Sequence, residues 1–250
     1  MVPQSLWQVF TTPDTSSPFD PAQWLLYFEK NRMLRSKFIW PATLNVVPSL
    51  RLPLIAALQR FQVGETGEGR HLRRYAASTG DRVFEVCVDM FIKEEQEHAW
   101  LLASAIKGMG GELLSSHWTD SVFIVLRQSV GLKTAILILF LAEVIGKCFY
   151  ELVHQNMTDS FLEAVFEQII HDEEGHIHFH THCLRRAFES YSPSQKCAIH
   201  AFWTSAFWCT CAVFVADNYA ALKHMGISPI DFTKKCWRVF GPAAGWTLNS

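Results

Sequence analysis

Two Glu-x-x-His quartets, Glu95-Gln96-Glu97-His98 and Glu173-Glu174-Gly175-His176, lie inside long stretches whose apolar residues recur at helical spacing. Residues three apart on a helix share a face, so each quartet points a carboxylate and an imidazole the same way. Around the first, that stripe carries Phe84, Val88, Phe91, Leu102 and Ile106; around the second, Leu162, Phe166, Ile169 and Ile177. Charges are rarely buried unless they are paired or bound to a metal. A chain with two such quartets therefore needs helices that face one another across something that satisfies both.

The turns say which helices these are. Ser78-Thr79-Gly80-Asp81 precedes the first quartet and Asn156-Met157-Thr158-Asp159-Ser160 the second. Helical patterning predicts helices over 53–77 and 82–107 around the first turn, and over 132–155 and 161–190 around the second. A helix rises about 1.5 Å per residue, so in an antiparallel pair residues at one height are equidistant from the turn. Glu65 and Glu95 each lie 15 residues from Gly80, and Glu143 and Glu173 about 15 residues from Met157–Thr158. Glu68 misses its height by about 4.5 Å and Glu151 by about 12 Å. Apolar neighbours flank Glu65 (Leu54, Leu58, Phe61, Leu72) and Glu143 (Ile136, Leu139, Gly146, Tyr150) as well. The candidate metal ligands are thus Glu65, Glu95, His98, Glu143, Glu173 and His176.

Helix, turn, helix, twice over, is the outline of an all-α four-helix bundle with one long crossover. We read 1–250 as a single domain: an N-terminal arm and helix over 1–50, the four-helix core over 51–190, and C-terminal helices over 191–250. Asp20-Pro21 opens the first helix, 37–48 is a connector, and 112–131 is the crossover, with a short helix expected after Asp120. A helix over about 195–223 and a tail helix after Pro229 complete the chain. No strand alternation is present.

Charged residues make up 18% of the chain, against about 25% on average, so an excess of apolar surface needs a cause. The aromatic content of 13% argues against disorder. A net charge of −2 excludes nucleic acid as a main partner, since phosphates require a basic excess. Seven cysteines without a C-x-x-C pair, and an N-terminus broken by Pro3, Pro13, Pro18 and Pro21, read as a reduced, cytoplasmic chain without a signal peptide. Counting His as neutral, residues 198–216 carry no acidic or basic residue, close to the roughly 20 that span a bilayer. Their Ser, Thr and His, and the lack of a second span, favour a buried or interfacial helix over a membrane segment.

With one Glu on each odd helix of the core and Glu-x-x-His on each even one, residues 50–190 resemble the ferritin-like di-iron carboxylate superfamily. The run Asp172-Glu173-Glu174-Gly175-His176 is similar to that superfamily's fourth-helix motif. The resemblance implies a ferritin-like bundle in which the six residues hold two Fe ions, or Mn and Fe, with Glu143 and either Glu173 or Glu95 as bridging candidates. It implies that Asp172 orients a ligand histidine and that O₂ is a co-substrate. The expected function is that of a soluble non-haem di-iron oxygenase, similar to the N-oxygenases and aldehyde-deformylating oxygenases. Its substrate is expected to be a small, largely apolar organic molecule that is hydroxylated, N-oxygenated, desaturated or deformylated. An electron donor or reductase and a homodimeric partner go with that reading. The alternatives are a ferroxidase or iron-handling protein, and a membrane-surface quinone hydroxylase. The 50 residues before the core and 60 after it suit substrate enclosure and dimerisation better than a storage cage.

Several further residues stand out. His180, one turn beyond His176, is a candidate seventh ligand or neighbour of the metals. The N-oxygenases carry their extra histidine about one turn before the Glu, where Ile169 stands here. Tyr150, two turns after Glu143, is a candidate redox tyrosine or packing residue. Gly64, Gly67 and Gly69 crowd around Glu65, although each glycine costs a helix roughly 1 kcal/mol. They signal either room or a bulge beside the metals, or close helix packing. His178 and His182 are read as surface residues, and Cys87 and Cys148 as core.

Overall fold

A computed structural model of the chain describes residues 12–13, 17–67, 69–115 and 132–248. Its regular elements are all helices: α1 (Pro21–Leu34), α2 (Pro48–Glu65), α3 (Arg70–Ser78), α4 (Arg82–Gly108), α5 (Leu132–Asn156), α6 (Ser160–Phe188), α7 (Pro193–His224) and α8 (Pro229–Leu248). Among the described residues there is no strand, and the expected all-α bundle is observed. Most of the N-terminal arm, Glu68 and the short helix expected after Asp120 lie outside the described residues.

Two caps set the register of the core. Asp81 accepts hydrogen bonds from the backbone of Val83 and Phe84 at 3.1 and 3.0 Å. Asp159 accepts from Phe161 and Leu162 at 3.0 and 3.1 Å. Each satisfies donors that the first helical turn leaves unpaired. Each cap also stands 14 residues before its quartet's first Glu, Asp81 before Glu95 and Asp159 before Glu173. Both quartets are therefore carried about 21 Å from their caps. α2 packs against α4, α5 against α6, and α4 against α6, so the two quartets meet.

The other helices cover this core from two sides. α1 lies on α4, where Trp24, Tyr27 and Phe28 are buried with Phe84, Phe91 and Phe179. α7 and α8 close the opposite side. Trp203 of α7 donates to the Leu137 carbonyl of α5 at 3.0 Å, and Phe207 stacks on Phe240 of α8 at 4.5 Å between centroids. Cys87 and Cys148 are fully buried, as expected.

Two expectations need correction. The helix expected over 53–77 is broken: α2 ends at Glu65 and α3 starts at Arg70. Thr66 tightens the last turn by donating its hydroxyl to Val63 O at 2.6 Å, and Gly69 adopts φ +62°. That φ suits glycine alone, and the Ile92 side chain stands where a Cβ would go. Around Gly64 and Gly67 nothing lies within 4 Å of a Cβ position, so these glycines open space and do not permit close packing. The second correction is His182, which is buried. Its Nδ1 accepts from the Trp24 indole at 3.1 Å and its Nε2 donates to Ser17 O at 3.0 Å. His178 is half-buried beside Thr12. α1 and the segment before it fold over this face of α6, which helical spacing within α6 alone does not reveal.

Gly175 stands where any side chain would run into the hydroxyl and ring of Tyr27. Gly175→Ala is expected to cost about 1–3 kcal/mol by overpacking. Gly64→Ala, which meets nothing, is expected to leave stability unchanged or raise it by up to about 1 kcal/mol. Denaturant unfolding of the two variants measures the contrast.

Candidate metal centre

Glu95 and His98 of α4 and Glu173 and His176 of α6 bring their ligand atoms within 4.8 Å of one another. His176 Nδ1 lies 3.0 Å from Glu95 Oε1, and His98 Nδ1 lies 3.5 Å from Glu173 Oε1. Glu143 enters from α5, 3.5 Å from His176 Nδ1. Glu65, the last residue of α2, lies close enough to Glu95 for that charge to raise its carboxyl, and it accepts a hydrogen bond from the Tyr150 hydroxyl at 3.4 Å. All six expected ligands thus converge in one place, despite the break after Glu65. His180 joins them at one edge, its Nε2 3.4 Å from Glu143 Oε1. Glu151, set aside on height, lies elsewhere, between Lys147 and Lys235 at 2.6 Å each.

The donor set tests whether a metal fits. Five buried atoms here have no hydrogen-bond partner among the described residues: Glu95 Oε1, Glu173 Oε2, His98 Nδ1, His176 Nδ1 and His180 Nε2. Unpaired buried polar atoms cost about 1–3 kcal/mol each, and they are rare in native proteins. Carboxylate oxygens and bare imidazole nitrogens are all acceptors, so they satisfy one another only by taking up protons. Cations between them would satisfy every one. The residues fit a metal.

The outward nitrogens of the two imidazoles are held by an exchange between helices. His98 of α4 meets Asp172 of α6 through Nε2 at 3.0 Å. His176 of α6 meets Glu94 of α4 through Nε2 at 2.9 Å. A carboxylate on the far nitrogen fixes the tautomer and presents the near nitrogen as a lone pair. α1 ties the two carboxylates together. Asn31 Nδ2 donates to Glu94 Oε1 and to Asp172 Oδ1, both at 2.7 Å. The Arg35 guanidinium lies 3.2 Å from Glu94, 2.8 Å from Asp172 and 2.7 Å from Glu97. Asp172 was expected in this role; Glu94, Asn31 and Arg35 were not. Glu94 had a signal: like Asp172, it is the acidic residue immediately before a ligand Glu.

The charges push on one another strongly. Burial, then the Glu143 charge, raises the Glu173 carboxyl to about 8. Burial and neighbouring glutamates also raise Glu65 and Glu95. Burial acts against ionising Glu143, but the close approach of Glu173, His176 and His180 holds it well below the usual range. Burial likewise opposes ionising Asp172, and the Arg35 charge and His98 prevail, so Asp172 is held low. Burial works against protonating His98 and His176, yet the surrounding carboxylates raise both.

Glu65, Glu95, Glu143 and Glu173 also border a cavity of about 160 Å³. Its walls are mainly apolar, with Phe61, Ile138, Leu139, Ala142 and Ile145 from α2 and α5, and Val213 and Phe214 from α7. Gly64 contributes the space its missing side chain leaves. Arg60, Thr210, Asp217 and Asn218 complete the lining. One face of the apolar α7 therefore encloses a chamber that ends on the Glu/His cluster.

No family model, no curated protein and no solved structure matches the chain. The geometry alone establishes a buried Glu/His group, able to hold a metal ion, inside an all-α bundle.

The shifts fix the sign of a pH effect on the metal-free protein. Glu173 keeps its proton to about pH 8 when folded, against an ordinary value of 4.5. Between those values the unfolded chain binds fewer protons, so stability falls as pH rises. The raised His98 and His176 act in the same direction above their ordinary 6.5. The lowered Asp172 and Glu143 deliver their full contribution above about pH 4.5 and do not oppose this. The thermal midpoint of chelator-treated protein is expected to fall from pH 5 to pH 8. Metal addition should reverse the trend and release protons at pH 7, read from buffer-dependent heats in calorimetry.

Proposed function

We propose that the protein is a non-haem di-iron oxygenase of the ferritin-like carboxylate type, acting on a small organic substrate with a largely apolar body. The observation that carries this reading is the cavity, which shares four glutamates with the metal centre and is otherwise mainly apolar. Mixed carboxylate and imidazole donors suit iron or manganese with positions left open, and four carboxylates balance two divalent cations. Glu65, Glu95, His98, Glu143, Glu173 and His176 would hold the pair, with His180 beside Glu143.

Two irons held by these residues would supply the two-electron activation of O₂. In hydroxylation or N-oxygenation one oxygen atom enters the substrate and the other leaves as water, with two electrons and two protons from an external reductant. The chain's own part is to hold the imidazoles through Asp172 and Glu94 and to fix Glu65 through Tyr150. Phe61, Leu139 and Phe214 keep bulk water away from the reacting group. A ferroxidase or iron-handling role leaves this cavity without a use. The outward face of α7, where Phe202, Trp208 and Tyr219 are exposed, supports a variant in which the enzyme works at a membrane surface, as a quinone hydroxylase does. Flotation with lipid vesicles tests that variant.

The metal content of protein loaded with ferrous iron is expected to be about two per chain. Glu65→Ala and Glu143→Ala should each lower it, and unchanged content in both variants would overturn the site. Reduced, loaded protein should consume O₂ in roughly stoichiometric amounts. Uptake of hundreds of irons per assembly would establish storage instead.

A further inference from the structure

We propose that the cavity is built for a small zwitterion, an α-amino acid with an apolar side chain, whose carboxylate is read by Arg60 and whose ammonium is read by Asp217. This rests on reading the cavity as the substrate chamber and names the class of substrate it takes.

Arg60 lies on α2, one turn before Gly64. Its Nη1 donates to Ala56 O at 2.8 Å and to Asn218 Oδ1 at 3.2 Å. Asn218 is itself fixed, with Nδ2 donating to Phe214 O at 2.9 Å and a non-helical backbone (φ −115°, ψ 17°) that kinks α7 at this point. These contacts lock the guanidinium while leaving Nε and Nη2 without a partner among the described residues. That edge of the fork is the one that grips a carboxylate through two parallel hydrogen bonds.

Asp217, beside Asn218, lines the same cavity, half-buried, and makes no hydrogen bond or ion pair with any described residue. It does not pair with Arg60. Arg60 and Asp217 are both half-buried, so one charge of each sign stands open to a ligand at the end of the chamber marked by the α7 kink. An organic anion alone would leave Asp217 unpaired and repelled, and an amine alone would do the same to Arg60. A head bearing both charges satisfies both and is neutral overall. The other ionised groups of the lining are the four glutamates, whose charge belongs to the metals. The volume of about 160 Å³ is well below the roughly 300–1,000 Å³ of pockets for drug-sized ligands. It has room for a side chain of the size of leucine or phenylalanine.

The test uses iron-loaded protein and probes that share one apolar body: L-phenylalanine, 3-phenylpropionate and 2-phenylethylamine, with L-leucine and L-methionine as smaller amino acids. Binding is followed by calorimetry under anaerobic conditions. At least one amino acid is expected to bind, and to bind about ten-fold or more tighter than its des-amino and decarboxylated counterparts. Arg60→Gln should abolish the advantage over the amine, and Asp217→Asn the advantage over the acid. Arg60→Lys, which keeps the charge and loses the fork, should fall between wild type and Arg60→Gln. No binding by any amino acid, equal binding of acid, amine and amino acid, or affinities unmoved by both Arg60→Gln and Asp217→Asn would each overturn the proposal. Neither residue touches a metal ligand, so the iron content of both variants should match wild type. Loss of iron binding in the wild-type protein would mark failure of the oxygenase reading. Full iron loading without head-group discrimination would mark failure of this one.

Discussion

The whole core is arranged around a concentration of negative charge that the bundle interior does not tolerate unaided. Glu65, Glu94, Glu95, Glu143, Asp172 and Glu173 converge on His98 and His176, and among the described residues the one guanidinium that reaches them is Arg35. Burying ions is expensive enough that each must be paired, neutralised or metal-bound. The structure answers from two directions. From outside, α1 brings Arg35 and Asn31 against Glu94 and Asp172. From inside, the unpaired atoms of Glu95, Glu173, His98, His176 and His180 face one another in the arrangement that cations would stabilise. The caps Asp81 and Asp159, the equal spacings and the docking of α1 all serve to bring this cluster to one height and hold it.

The six inward-facing residues were legible because helical rise is nearly invariant, so distance from a turn translates directly into height. Glu65 was found by that argument even though the helix through it does not continue. The break lies between Glu65 and the turn, inside the 15 residues counted, so the agreement in height rests on the packing of α2 on α4, which keeps Glu65 beside Glu95. Arg35 and Asn31 were not legible, because they belong to a helix outside the bundle and only tertiary docking places them over Glu94 and Asp172. His182 escaped for the same reason: its partners, Trp24 and Ser17, lie more than 150 residues away in the chain. Periodicity reports which face of a helix is apolar, whereas the partner of a buried polar atom on that face comes from packing.

The apolar stretch in α7 had two causes folded into one pattern. Trp203, Phe207 and Cys211 are buried against α5 and α8, and Val213 and Phe214 wall the chamber. The opposite side of the same helix leaves Phe202, Trp208 and Tyr219 exposed. A helix that is apolar all round shows no contrast between its sides, so the sequence reveals neither face separately. The polar residues at its far end, Asp217 and Asn218, then carry the information that the apolar ones cannot: they mark where the chamber stops being purely hydrophobic.

The consequence of the exchange between α4 and α6 is that the affinity of this cluster for a metal would depend on residues that touch no metal. For His98 and His176 to offer Nδ1 as a lone pair, each must carry its proton on Nε2 and donate it. Asp172 and Glu94 stand as the acceptors of those protons, and at Asp172 burial alone would favour the weaker-accepting neutral form. Arg35, bound to both, tips that balance at Asp172, and Asn31 holds the two carboxylates apart at hydrogen-bonding distance from one amide nitrogen. α1 therefore belongs to the Glu/His cluster energetically while standing outside the four helices that supply it. The same logic applies at the other end of the chamber, where Asn218 orients Arg60 without facing the metals. In both places a neutral amide fixes a guanidinium or a carboxylate, and the charged group is left free to meet its partner on one side only.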